Sequence, residues 1–165
     1  MKVYISETAE QTQKIAFSLT KELLEKFWYV YFLLEGNLGA GKTEFVKGVA
    51  KGLGMSSRKI HSPTFVFITE HYKKDKFLYH IDFYRLEKNF LPKILLDHIE
   101  ENQFIRRKKV VSCIEWANKV PQKIIKKIVY ESKKLFNNNL EVFVKVKIEI
   151  LRDCKRKIYI SRVGV

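Results

Sequence analysis

The sequence is poor in cysteine, proline and glycine, and it contains no long apolar run. Its two cysteines, Cys113 and Cys154, have neither metal-ligand spacing nor the numbers for a disulfide framework. That excludes a stapled secreted scaffold and a thiolate metal site, and it predicts a reduced, cytoplasmic protein. With three prolines and seven glycines, no Pro-rich or Gly/Ser-rich linker, repeat or low-complexity block divides the chain. A single domain over residues 1–165 is therefore expected. The longest apolar run, Phe27–Leu34, is too short to cross a bilayer and reads as a buried strand. The opening stretch MKVYISETAEQTQ is polar and lacks the apolar core of a signal peptide.

Acidic residues are scarce too: 18 Asp and Glu stand against 32 Lys and Arg, a net charge of +14. Such a balance suits a polyanionic partner. The basic residues are nevertheless scattered or in short runs, such as Arg106-Arg107-Lys108-Lys109, Lys126-Lys127 and Lys133-Lys134. Lys, Ile, Asn and Phe are abundant together, the composition an AT-rich genome produces without selection on function. Charge alone does not establish contact with RNA, and the same surface would serve an acidic or RNA-containing complex.

What is present is an alternation of helical and strand patterns. Thr8-Ala9-Glu10-Gln11 reads as a capping box, followed by Ile15, Leu19 and Leu23 at helical spacing through about Lys26. Phe27–Glu35 is an apolar, aromatic strand, and Gly36–Gly41 is a loop. Lys42–Leu53 is a helix that turns Phe45, Val46, Val49 and Leu53 inward and stops at Gly54. Val66–Tyr72 and Lys76–Ile81 are predicted strands, Leu91–Glu101 a helix, and Val110–Glu115 a buried strand of the parallel kind. Pro121 opens a short helix over Gln122–Val129. Leu140–Leu151 alternates strictly, as does Lys157–Val163, and Arg152–Lys155 joins them into a hairpin. The fold class is therefore α/β, a P-loop NTPase core with a mixed sheet and a C-terminal antiparallel hairpin.

Gly36-Asn37-Leu38-Gly39-Ala40-Gly41-Lys42-Thr43 fits GxxxxGK[ST]. The spacing lets a loop curl around a phosphate with its backbone N–H groups inward, while Gly36 and Gly41 allow an approach that a side chain would block. The helix starting near Lys42 presents its positive end to the phosphates. Lys42 reaches the β- and γ-phosphates, and Thr43 offers a hydroxyl to Mg2+. An apolar strand before the motif and an amphipathic helix after it are the context that the motif requires. ATP or GTP with Mg2+ is the ligand implied.

Such a site needs a carboxylate at the end of a neighbouring strand. Asp82 follows Phe77–Ile81, and Glu115 follows Val110–Ile114. Each ends an apolar strand, on the edge where α/β sheets bind ligands. Spacing does not say which one holds the metal and which one orients water. His61-Ser62-Pro63-Thr64-Phe65 precedes a strand; Thr64 fits either a γ-phosphate-sensing switch or an ordinary turn. His61, His71, His80 and His98 have no ligand spacing and read as surface or strand histidines.

Taken together, GNLGAGKT, SPTF at Ser62–Phe65, HIDFYRLE at His80–Glu87 and IEW at Ile114–Trp116 resemble the TsaE (YjeE) family in their order and separation. These are small bacterial ATPases required for threonylcarbamoyladenosine (t6A) modification of tRNA. The resemblance implies that Lys42 and Thr43 take the roles above, that Glu115 is the second Mg2+ ligand, and that Asp82 is the carboxylate needed for hydrolysis. It further implies that Thr64 is a switch threonine, Trp116 an aromatic beside the metal, and Arg156 a basic residue of the last hairpin that approaches the nucleotide. The partners implied are the threonylcarbamoyl transferase subunit and its non-catalytic paralogue (TsaD and TsaB type), with tRNA reached through that complex. The segment Glu87–Lys93 departs from the family pattern, being basic where an acidic helix start is usual.

Three other readings compete. A small P-loop kinase needs a lid, and Arg106–Lys109 is its one candidate. A GTPase needs NKxD, but Asn118-Lys119 is followed by Pro121 where the Asp belongs. An RNA-binding module would rest on charge alone, without an RNP-type aromatic pattern or a GXXG loop.

Overall fold

The computed structural model describes residues 1–63, 66–102, 104–105, 108–135 and 140–164. Its strands are β1 (Lys2–Ser6), β2 (Tyr29–Glu35), β3 (Ile68–Lys73), β4 (Lys76–Asp82), β5 (Lys109–Glu115), β6 (Glu141–Ile150) and β7 (Arg156–Arg162). Its helices are α1 (Ala9–Lys26), α2 (Lys42–Gly52), α3 (Leu91–Asn102) and α4 (Gln122–Leu135). The strands form one mixed sheet in the order β1-β7-β6-β2-β5-β4-β3. The pairs β6–β2, β2–β5 and β5–β4 are parallel, whereas β1–β7, β6–β7 and β3–β4 are antiparallel. This is the α/β architecture expected, with the closing hairpin in place.

Period-two alternation in β2 divides the core. Val30, Phe32 and Leu34 join the cluster under α1 and α2, which includes Ala16, Phe45 and Val49. Tyr29, Tyr31 and Leu33 join the cluster under α3 and α4, with Leu95, Ile99 and Ile125. A strand buried on both faces reads as a continuous apolar run, which is what Phe27–Leu34 displays. The helix α1 begins where Thr8 accepts a hydrogen bond from the Gln11 N–H at 3.1 Å. Gln11 reaches back to the N–H of Glu7 rather than of Thr8, one residue beyond the reciprocal capping box expected. Helices α1 and α2 cross closely at Gly48, where an added Cβ would stand 2.7 Å from the Ala16 Cβ. That contact fixes the tilt of α2, and so the position of its first turn.

Three elements differ from the sequence reading. Strand β1 was not expected, because it is an edge strand whose apolar residues Val3 and Ile5 face outward. Helix α4 continues past Val129 to Leu135, because its inward position there is Ser132, which is polar but buried. Strand β3 starts at Ile68 rather than Val66, after a turn in which Phe67 takes a positive φ of 49°. His98 is a buried helix residue, hydrogen-bonded to Ser112 at 2.8 Å and to Asn102 at 3.2 Å.

Two buried groups couple folding to pH in opposite senses. Burial pushes the Glu141 carboxyl up from 4.5 to about 7, against the Ser132 hydrogen bond and the Lys133 charge. Its stabilising contribution is full below about pH 4.5 and is lost as pH rises through about 7. Burial pushes His98 down from 6.5 to about 4, so its contribution is full above 6.5 and is lost as pH falls toward 4. The two offset each other where the ranges overlap, so the clean readout is a difference. Glu141→Gln should gain stability relative to the parent protein between pH 5 and pH 8, by up to about 3 kcal/mol. Urea denaturation at both pH values checks this, and a difference that does not change with pH contradicts it.

Candidate functional site

The loop from Gly36 to Gly41 leaves the carboxyl end of β2 and enters α2. Gly36 has a φ of 152°, and a Cβ there would lie 2.6 Å from the Ile148 carbonyl oxygen and 3.0 Å from the Ala40 Cβ. Only glycine lets the loop start this close to β6. The turn closes with the Ala40 N–H donating to the Asn37 carbonyl at 3.1 Å. Gly41, with a φ of 105°, caps α2 and offers no side chain to the first-turn amides. Those amides and the helix dipole make the mouth of α2 electropositive.

Lys42 is buried, and its ammonium donates to the Gly36 and Asn37 carbonyls at 2.9 Å each. It also lies 4.0 Å from the centroid of the Trp116 ring. Burial lowers its pKa, and the charges of Glu115 and Asp82 raise it in part. Thr43 turns the other way and donates its hydroxyl to Glu115 Oε1 at 2.8 Å. Glu115 and Asp82 end adjacent parallel strands and stand side by side in the register. Both are almost fully buried. Asp82 Oδ2 accepts from the Ser62 hydroxyl at 2.7 Å, and Oδ1 accepts from the Tyr84 N–H at 2.8 Å. Trp116 takes a left-handed backbone (φ 60°) directly after Glu115 and packs its ring 4.9 Å from that of Tyr84. These groups line a cleft of about 400 Å³, with Leu38 and Gly39 at its rim.

The structure therefore brings together Gly36, Asn37, Leu38, Gly39, Ala40, Gly41, Lys42, Thr43, Asp82 and Glu115 at one end of the sheet. Thr64 lies outside the described residues. Arg156 begins β7 at the same end of the sheet but does not line the cleft; its guanidinium donates to the Cys154 carbonyl at 2.6 Å. Two residues gain a place that sequence reasoning did not give them. His80 is fully buried with Nε2 2.8 Å from Glu115 Oε1. The signal for it was its position two residues before Asp82, hence on the same face of β4. Lys119 donates to the carbonyls of Phe83, Tyr84 and Leu86 at 2.7, 2.9 and 2.5 Å, and so clamps the turn after Asp82. A larger groove between β1 and α1, about 500 Å³, has no comparable convergence of charged groups.

The oxygen donors suit a hard divalent cation. Among the described residues no three His, Cys, Asp or Glu side chains cluster as a metal cage. A Thr hydroxyl 2.8 Å from a carboxylate beside a phosphate-type loop matches the way Mg2+ is held, by one or two protein oxygens plus phosphate. The residues present fit the ion.

A parallel core of strands, a glycine-rich loop entering a helix and carboxylates at the neighbouring strand ends define a P-loop α/β protein. Comparison with known proteins narrows this: the model for the family "Threonylcarbamoyl adenosine biosynthesis protein TsaE" matches residues 6–149, and the chain belongs to that family. Its curated relatives include the tRNA threonylcarbamoyladenosine biosynthesis protein TsaE of a Nostoc species, 42% identical over 91 residues, or 55% of this chain and 54% of that protein. The protein of the same name from Bacillus subtilis is 41% identical over 91 residues, covering 55% and 52%. The chain thus spans about half the length of the curated relatives it matches. The crystal structure of Bacillus subtilis YdiB superposes with a TM-score of 0.60 at 26% identity, covering 99% of this chain and 86% of that one.

The close approach at Gly36 is open to test. Gly36→Ala should destabilise the protein by about 2–4 kcal/mol, the range for backbone strain combined with a steric overlap. Thermal or urea denaturation reads this directly, and a loss below about 0.5 kcal/mol would show that the loop does not depend on the missing Cβ.

Proposed function

We propose that the protein is a Mg2+-dependent ATPase required for t6A modification of tRNA, and that it hydrolyses ATP to reset a threonylcarbamoyl transferase complex between turnovers. The observation that carries this reading is Lys42 and Thr43 on the first turn of α2, facing Glu115 and Asp82 from adjacent parallel strand ends. In this reading the triphosphate of ATP, the substrate, lies on the loop amides of residues 36–43, and Lys42 leaves its two loop carbonyls for the phosphate oxygens. Thr43 and Glu115 hold the magnesium ion, which when bound supplies positive charge to those oxygens. Asp82, fixed through both carboxylate oxygens, orients the water for in-line attack on the γ-phosphate. Thr64 senses the γ-phosphate, and Arg156 approaches the nucleotide from the β6–β7 hairpin. The partners are the transferase subunit and its non-catalytic paralogue, and tRNA is reached through their complex in the cytoplasm. Among the described residues no helix is long and apolar enough to cross a membrane.

The competing readings lose ground on two observations. The kinase reading needs a lid at Arg106–Lys109. Lys109 is the first residue of β5, at the opposite sheet end from Glu115, and its ammonium is bound to the Phe27 carbonyl. The GTPase reading needs Lys119 free to frame a guanine, whereas its ammonium is engaged by three carbonyls.

Purified protein should bind ATP in preference to GTP and release free phosphate slowly with Mg2+ alone, transferring none to a small acceptor. Lys42→Ala should abolish nucleotide binding by calorimetry. Glu115→Ala should retain binding and lower Mg2+-dependent hydrolysis about 100-fold. Hydrolysis by the Glu115 variant at the parent rate would remove that residue from the metal site.

A further inference from the structure

His80 has no part in the reaction as described so far. It is fully buried on β4, among the apolar side chains of Leu78 and Cys113 on the same face. An imidazole costs stability in such a place unless its nitrogens are hydrogen-bonded. Its Nε2 lies 2.8 Å from Glu115 Oε1, the same oxygen that accepts the Thr43 hydroxyl at 2.8 Å. A carboxylate oxygen accepts, so Nε2 carries the proton in this bond. Among the described residues Nδ1 has no hydrogen-bond partner. Thr69 stands directly opposite His80 in the β3–β4 pair, and among the described residues its Oγ1 is likewise buried without a partner. A line of polar groups runs from β3 through β4 and β5 to the first turn of α2, inside an otherwise apolar layer.

We propose that His80 is a positioning residue for ATP hydrolysis: its Nε2–H bond to Oε1 holds the Glu115 carboxylate facing Thr43 and so sets the metal-binding oxygens. The inference rests on the reading of Glu115 as a magnesium ligand. Two donors from different elements meet on one carboxylate oxygen, and pinning that oxygen removes rotation about the terminal bonds of the side chain. The direction of the second oxygen is then fixed before any ligand arrives. Groups of this kind, one hydrogen bond behind a ligand, alter metal affinity or activity about 10–100-fold when removed.

His80→Leu removes the donor and keeps most of the bulk, while His80→Gln returns an N–H near the position of Nε2. The leucine variant should raise the Mg2+ concentration for half-maximal hydrolysis and lower kcat, each about 10-fold or more. Its affinity for ATP without Mg2+ should be unchanged, and the glutamine variant should recover most of both losses. Independently of activity, NMR of 15N-histidine-labelled parent protein should find His80 as the Nε2–H tautomer. An unchanged Mg2+ requirement in His80→Leu, equal losses in both variants, or an Nδ1–H tautomer would overturn the proposal. If the parent protein showed no Mg2+-dependent hydrolysis, the reading of Glu115 would fail instead, and the tautomer would still decide whether His80 holds its carboxylate.

Discussion

The parallel register of three central strands is the constraint on which the site depends. Leu34 of β2 pairs with Glu115 of β5, and Glu115 pairs with Asp82 of β4. A shift of one residue would turn each of these side chains to the opposite face of the sheet. With the register as it is, the phosphate-type loop leaves β2 beside the two carboxylates, all at the carboxyl edge where parallel sheets receive ligands. The apolar runs that fix this register are buried on both faces, so the slip is opposed by most of the core.

Charge is then distributed over a small volume. Among the described residues lining the cleft Lys42 carries the one ammonium, with two buried carboxylates beside it and the first-turn amides of α2 around it. Its hydrogen bonds go to loop carbonyls rather than to a carboxylate, and its ring partner Trp116 takes a left-handed backbone to stand beneath it. On the proposed reading this cation exchanges neutral carbonyls for phosphate oxygens at little cost, because charge-assisted bonds to phosphate are the stronger ones. Each carboxylate, by contrast, is fixed by donors from other elements: Thr43 and His80 on Glu115, Ser62 and Tyr84 on Asp82. The cation of the site is thus held by neutral carbonyls and a ring, and its anions by hydrogen-bond donors.

How much of this was legible in the sequence follows from range. The loop was legible because its glycines, lysine and threonine act through local backbone geometry. The two carboxylates were legible as strand ends, and β6 and β7 as an alternating pair. Strand β1 escaped because Val3 and Ile5 face outward at an edge, which inverts the usual pattern. The end of α4 escaped because Ser132, buried and bonded to Glu141 at 2.8 Å, occupies an inward position with a polar residue. His80 escaped because its partner lies on another strand, and periodicity reports a face without naming what meets it. The family resemblance implied what spacing left open, a distinction between Asp82 and Glu115.

The most direct measurement is a crystal structure of the protein with Mg2+ and a non-hydrolysable ATP analogue. The account predicts the triphosphate on the amides of residues 36–43, the Lys42 ammonium turned from the Gly36 and Asn37 carbonyls to phosphate, and the metal within reach of both the Thr43 hydroxyl and the Glu115 carboxylate. A triphosphate bound elsewhere, or a metal held by Asp82 without Glu115, would contradict it.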